Sequence, residues 1–199
     1  MKMNEACEVV AQGRGDAILV STMGAMNMFD MLGTEGGRIS SVPLMGGAAG
    51  LGLGLALARP DRRVVVVDGD ASLLMELGGL VTVGSLQPTN LLHVVVRNGT
   101  QFSGLANLQA PVDRCDFVGH ALAAGYVRAV RFGVASEWAN AFPSLLAAAG
   151  PIFVELDVDP PPPRVVPGAG AVQQEIPDRQ FERMGLEAQA LRALLAIEV

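Results

Sequence analysis

The sequence predicts a three-layer α/β domain built on a parallel sheet. Two observations carry that expectation. Apolar runs such as Val64 to Val67 and Leu91 to Val96 are continuous rather than alternating, which is how strands covered on both faces read. These runs also alternate with longer helical segments along a chain of 199 residues, a length that suits one domain with a sizeable core. Half of the residues are hydrophobic and 17% are charged, which favours a well-buried domain with further surface available to a partner.

Taken in order, Asn4 to Gln12 reads as a short helix closed by Gly13 and Gly15. Ala17 to Val20 is a short apolar strand that ends at Ser21-Thr22-Met23-Gly24, and a helix over Ala25 to Leu32 follows. A brief strand, Ile39 to Val42, leads into a Gly/Ala/Leu helix from Gly46 to Ala58, whose small residues permit close packing on a neighbour. Arg59-Pro60-Asp61 ends it. The strand 64–67, a helix from Ser72 to Leu86 and the strand 91–96 come next, then a loop over 99–114. Asp116 to Ala124 is expected as helix, Tyr126 to Phe132 as strand, Ser136 to Ala149 as helix and Ile152 to Val158 as strand. The domain is expected to span residues 1–163, with Pro160 to Pro163 as a rigid stop. Residues 164–199 are read as a linker and a terminal helix, Asp178 to Ile197, that packs on its own domain or docks a partner.

Composition removes several functions. The net charge is −6 and no basic cluster exists, which argues against nucleic acid. Leu51 to Ala58 is too short and too glycine-rich to span a bilayer. The start, Met1-Lys2-Met3-Asn4-Glu5, lacks a signal-peptide pattern, and Cys7 and Cys115 lack metal-ligand spacing. The expectation is a cytoplasmic protein with free thiols.

The chemistry concentrates at two strand ends. One strand runs into Gly69-Asp70-Ala71-Ser72 and another into Asn98-Gly99. Each presents one oxygen-bearing side chain beside glycine, and open parallel sheets bind ligands outside such ends. A carboxylate, an amide oxygen, a backbone carbonyl and room for diphosphate oxygens are what a hard divalent cation on a phosphate ester requires.

The pattern Gly69-Asp70-Ala71 with Asn98 downstream resembles the cofactor signature of thiamine diphosphate enzymes. The likeness extends through Pro43-Leu44-Met45-Gly46-Gly47 to Arg59-Pro60 and through Arg63 to Met75, and covers roughly residues 1–160. It is most similar to the β-type subunits of sulfopyruvate and phosphonopyruvate decarboxylases, and it implies the diphosphate-binding (PP) domain fold. The resemblance further implies Mg2+ held by Asp70, Asn98 and the backbone carbonyl of Thr100. Gly69, Ala71 and Ser72 would line the diphosphate at a helix start, and Thr22, Met23 and Gly24 would also touch it. Met45 matches the bulky apolar residue that props the cofactor's two rings into a bent shape. Gln101 and Phe102 belong to a loop that borders the reactive carbon.

Two departures stand out. Ala71 replaces the third glycine of the commonest signature, and the loop Thr100 to Asn107 differs from the family's aromatic and Thr-Gly-Gly-like turn. The glutamate that activates the pyrimidine ring belongs, in the family, to a separate pyrimidine-binding domain. With one domain already assigned, this chain is expected to act with a pyrimidine-domain subunit, as α2β2 or larger, on a small 2-oxo acid. A split carboligase of the acetolactate or acyloin synthase type shares every residue named and is the alternative. An oxidoreductase subunit using ferredoxin is disfavoured because clustered cysteines are lacking. A dinucleotide module is suggested by Gly50, Gly52 and Gly54 with Asp68, but it leaves Asp70 and Asn98 unexplained. The same two residues argue against a purely scaffolding subunit. His93, inside an apolar strand, reads as a satisfied core histidine, His120 as a bystander on a helix, and Asp68 as a cap or solvent contact.

Overall fold

A computed structural model describes residues 1–41, 45–102, 107–160 and 177–196. In chain order the elements are α1 (Met3–Gly13), β1 (Ile18–Ser21), α2 (Met23–Met31), β2 (Arg38–Ser40), α3 (Gly47–Ala58), β3 (Val64–Gly69), α4 (Asp70–Met75) and α5 (Gly79–Leu86). Then follow β4 (Leu91–Arg97), β5 (Thr100–Phe102), β6 (Asn107–Gln109), α6 (Phe117–Ala124), β7 (Arg128–Phe132), α7 (Ala135–Ala147), β8 (Ile152–Asp157) and α8 (Pro177–Leu195).

Six strands form one parallel sheet in the order β2-β1-β3-β4-β8-β7. Alternate residues of each central strand serve opposite faces. Val64 and Val66 of β3, with Leu91 and Val95 of β4, pack under α3, α5 and α6. Val65 and Val67, with Leu92 and Val94, pack against α1, α2 and α7 through Phe29, Trp138 and Phe142. This is the three-layer arrangement that the continuous apolar runs predict. The chain leaves β1 outward to β2 on one side and returns to β3 on the other. The strand order therefore reverses between β1 and β3, the position where open α/β sheets leave a ligand crevice.

The glycines of α3 do what their size suggests. A Cβ on Gly52 would lie 2.2 Å from Val66 Cγ2, inside the contact between α3 and β3. Gly52→Ala gains about 1 kcal/mol of helix propensity but overpacks a filled core, which costs about 1–3 kcal/mol. The expected result is a lower urea midpoint; an unchanged or higher one would mean that α3 lifts freely off the sheet.

Several boundaries differ from expectation. The single helix over 72–86 is two helices, parted at Glu76 to Gly78. The Gly78-Gly79 pair weakens the helix there, and Glu76 adopts φ −137°, ψ 48°, with its Cβ against Gly46. The loop over 99–114 contains an antiparallel hairpin, β5 with β6, whose three-residue strands are too short to show alternation. The strand expected from Tyr126 begins at Arg128, because Tyr126 turns its ring into the core. The strand expected over 39–42 is Arg38–Ser40; Val42, like Pro43, Leu44, residues 103–106 and most of the linker 164–177, lies outside the described residues.

Helix α8 lies along the edge strand β2. The backbone N–H of Ser40 donates to Glu187 Oε2 at 2.6 Å, Arg183 forks onto Asp30, and Leu191 is buried in the core. Arg59 donates to the carbonyl of Leu195 at 2.6 Å. A sheet edge that would otherwise offer unpaired backbone is thereby covered.

Candidate functional site

The sequence-predicted residues converge at the carboxyl ends of β1, β3 and β4. Thr22 follows β1 directly, and its backbone N–H donates to the carbonyl of Val67 in β3 at 3.2 Å. Gly69 pairs with Val96 across β3 and β4, so Asp70 and Asn98 leave neighbouring strands side by side. The two loops are tied together: Gly99 N–H donates to Asp70 Oδ2 at 2.8 Å, and Ala71 N–H donates to Asp70 Oδ1 at 2.7 Å. Asn98 Oδ1 accepts from the N–H and hydroxyl of Thr100, at 2.9 and 3.2 Å.

This donor set suits a hard cation. Asp70 is 1% exposed, and burial pushes its carboxyl above the ordinary carboxylate range, against the hydrogen bonds from Gly99, Ala71 and Asn98 and the charge of Arg97. A desolvated carboxylate at a strand end gains most from a positive ion placed on it. The Gly99 carbonyl is already used, accepting from Ala110 N–H at 2.8 Å. That bond makes Thr100 and Gln109 a non-hydrogen-bonded pair of the hairpin, which leaves the Thr100 carbonyl outside the ladder and available as a ligand. Among the described residues no group of three His, Cys, Asp or Glu could hold a metal. A cation here would take one carboxylate, neutral oxygens and the oxygens of its own phosphate ester, as magnesium does.

Met45 sits at the turn before α3, half-buried against the core face shared by α3 and α4. Gly46 adopts φ +90°, and a Cβ there would lie 2.6 Å from the Glu76 Cβ, so only glycine fits. Its N–H donates to Ser72 Oγ at 2.8 Å. Ser72 thus links the Gly69–Ser72 segment to the Met45 turn through its side chain, a role the sequence pattern did not reveal. Gly24, in the first turn of α2, is exposed, and Gln101 is half-buried on β5.

Sequence reasoning also missed the groups beneath the site. Asp68 is 1% exposed rather than in contact with solvent, because strand parity turns it inward with Val64 and Val66. His93 is fully buried, as expected of a core histidine, but among the described residues only its Nδ1 is bonded, to the Tyr126 hydroxyl at 3.0 Å. Arg97, the residue before Asn98, bonds Glu155 at 2.6 Å and the carbonyl of Val112 at 2.7 Å. It anchors the far end of the hairpin to β8, and its position between an apolar strand and Asn98 was the available signal. His120 is exposed on α6, and its ring bonds only the carbonyl of Asp116 among the described residues. Cys7 and Cys115 are free, and burial pushes the Cys7 thiol up to about 12.

Solved structures confirm the architecture. The fold matches the thiamine diphosphate-dependent 4-hydroxybenzoylformate decarboxylase of Rhodococcus jostii RHA1 with a TM-score of 0.68 at 24% identity, over 81% of this chain and 33% of that one. Residues 21–156 match the family model described as the thiamine pyrophosphate enzyme, C-terminal TPP binding domain, and the chain belongs to that family. It is 42% identical over 149 residues to a phosphonopyruvate decarboxylase of Streptomyces viridochromogenes, covering 73% of this chain and 36% of that protein. It is 40% identical over 116 residues to the sulfopyruvate decarboxylase subunit beta of Methanothermobacter thermautotrophicus, covering 58% of this chain and 59% of that one. The chain thus aligns with about a third of the first relative and somewhat over half of the second.

Proposed function

We propose that this chain is the diphosphate-binding subunit of a split decarboxylase that uses thiamine diphosphate and Mg2+ on a small 2-oxo acid, in the manner of the sulfopyruvate and phosphonopyruvate decarboxylases. The observation that carries the reading is the junction of Asp70 with the Asn98–Thr100 loop, in a chain about 40% identical to proteins of those names. Asp70, Asn98 and the Thr100 carbonyl hold the metal. The backbone of Thr22, Met23 and Gly24, at the start of α2, and of Gly69, Ala71 and Ser72, at the start of α4, would receive the diphosphate, where the partial positive charge of a helix start favours an anion. Met45, whose turn is held by Ser72, would support the cofactor rings.

Thiamine diphosphate, when bound, supplies the carbon that adds to the keto group and the sink for the electrons released as carbon dioxide leaves. The protein's part is orientation and exclusion of water. The segment of Gln101 and Phe102 would border the reacting carbon, and the partner's pyrimidine domain would bring the activating glutamate. That partner is supported by the subunit beta name of the Methanothermobacter relative. No helix among the described residues is long and apolar enough to cross a membrane. A cytoplasmic location belongs to the same reading and is supported by the two free cysteines.

The product tests the reaction. The chain co-expressed with its pyrimidine-domain partner should convert sulfopyruvate or phosphonopyruvate to carbon dioxide and the corresponding aldehyde. A lengthened hydroxyketone as the main product would move the enzyme to the carboligases.

A further inference from the structure

Directly under the metal-binding turn lie three polar groups that the reading above does not use. Asp68 and His93 are 1% and 0% exposed and belong to adjacent strands. His93 Nε2 faces Asp68 Oδ2 at 3.9 Å, and neither atom has a hydrogen-bond partner among the described residues. At the other end His93 Nδ1 meets the Tyr126 hydroxyl at 3.0 Å. Asp68 Oδ1 accepts the N–H of Gly69 at 2.8 Å, one residue before Asp70. Phe153 packs edge-on against both rings, with centroids 5.3 Å from His93 and 5.8 Å from Tyr126.

The direction of the chain of contacts follows from charge. Burial, and secondly the charge of Asp68, raise the Tyr126 phenol well above its ordinary value, so it keeps its proton and can donate to Nδ1. In the neutral ring the proton then sits on Nε2, where it faces a carboxylate oxygen; a bare lone pair there would repel it. Burying such groups in an otherwise apolar core costs stability, and well-packed apolar replacements are often neutral or better. Their place, with Asp68 two positions before the proposed metal-binding carboxylate Asp70, gives them work that packing alone does not require.

We propose that Tyr126, His93 and Asp68 form a buried positioning chain that fixes the Gly69–Asp70 step and thereby sets the affinity for the metal and its diphosphate. Tyr126 orients the ring of His93, the ring's Nε2 side faces one oxygen of Asp68 across 3.9 Å as an electrostatic contact, and the other oxygen accepts from the Gly69 peptide N–H. The inference rests on the reading of Asp70 as a metal ligand. None of the three residues touches the cofactor.

The test combines two measurements. In the full chain labelled with 15N-histidine, the His93 nitrogen shifts should report the Nε2–H tautomer, lost in Tyr126→Phe. In the complex assembled with its pyrimidine-domain partner, Mg2+ is titrated calorimetrically at saturating thiamine diphosphate. Asp68→Asn and Tyr126→Phe should each weaken Mg2+ by about tenfold, the scale on which outer partners of metal ligands act. Phe153→Leu, which loosens the same core without breaking the chain of contacts, should lower the melting temperature and leave Mg2+ affinity unchanged. Failure of the wild-type complex to bind Mg2+ and thiamine diphosphate would overturn the metal-site reading and this inference with it. Wild-type binding accompanied by wild-type affinity in both polar variants would overturn the positioning chain alone. So would an affinity loss that merely follows the melting temperature, as Phe153→Leu would then also show. Should Asp68→Asn not fold, Tyr126→Phe decides, since it keeps the ring and removes only the hydroxyl.

Discussion

Asp70→Ala is expected to leave the assembled enzyme unable to retain thiamine diphosphate. Asp70 supplies the one charged protein oxygen of the proposed metal shell, and Asn98 and Thr100 offer only neutral ones. Losing it should cost more than the roughly 10–100-fold that outer partners of a metal ligand cost. Asp70 also accepts from the N–H groups of Ala71 and Gly99, so the loops from β3 and β4 lose their link in the same variant. Asp70→Asn keeps one acceptor oxygen and with it one of the two loop links: it should keep more of the parent's stability than Asp70→Ala and still fail to hold Mg2+. Calorimetry of the complex showing parental thiamine diphosphate affinity in Asp70→Ala would remove Asp70 from the site. The raised carboxyl also carries a sign. Without cation, ionised Asp70 disfavours the fold. That penalty is absent below the ordinary carboxylate range and complete once pH rises through the raised folded value. Mg2+ with thiamine diphosphate should therefore stabilise the complex more at neutral than at acidic pH.

The second large effect concerns the partner. This chain alone, given thiamine diphosphate, Mg2+ and sulfopyruvate or phosphonopyruvate, should release no carbon dioxide above background. Adding the pyrimidine-domain subunit should restore turnover. The expectation follows from the proposed division of labour, in which this domain would supply the diphosphate and metal ligands and the other the glutamate that activates the pyrimidine ring. The phosphonopyruvate decarboxylase relative is matched over 36% of its length, so most of that protein has no counterpart in this alignment. Robust turnover by this chain alone would refute the split site.

The parts of this account that were legible in the sequence share a physical reason. Val64 to Val67 and Leu91 to Val96 are β-branched or leucine-rich runs buried on both faces, and their length alone marks them as central strands. Because they are adjacent and parallel, the residues that follow them, Asp70 and Asn98, had to emerge at one end of the sheet. Features decided by tertiary contact were not legible. The break at Glu76 to Gly78 depends on the close approach of Gly46 to Glu76, which no local pattern encodes. Asp68 reads as the polar exit of a strand, yet parity carries it under the sheet to His93. The Ser72 hydroxyl reads as part of a phosphate-binding turn, and its bond to Gly46 joins segments 26 positions apart. The cover that Glu187 provides over Ser40 spans 147 positions and is equally invisible to local reasoning.

The central claim is that Asp70, Asn98 and Thr100 hold the cofactor's metal, and a crystal structure of the complex with thiamine diphosphate and Mn2+ tests it most directly. The account predicts one anomalous peak beside the diphosphate, about 2.1–2.2 Å from a carboxylate oxygen of Asp70, the amide oxygen of Asn98 and the backbone carbonyl of Thr100, in the octahedral arrangement of a small hard cation. A metal bound to the diphosphate elsewhere, with Asp70 still engaged only by the N–H groups of Ala71 and Gly99, would contradict it.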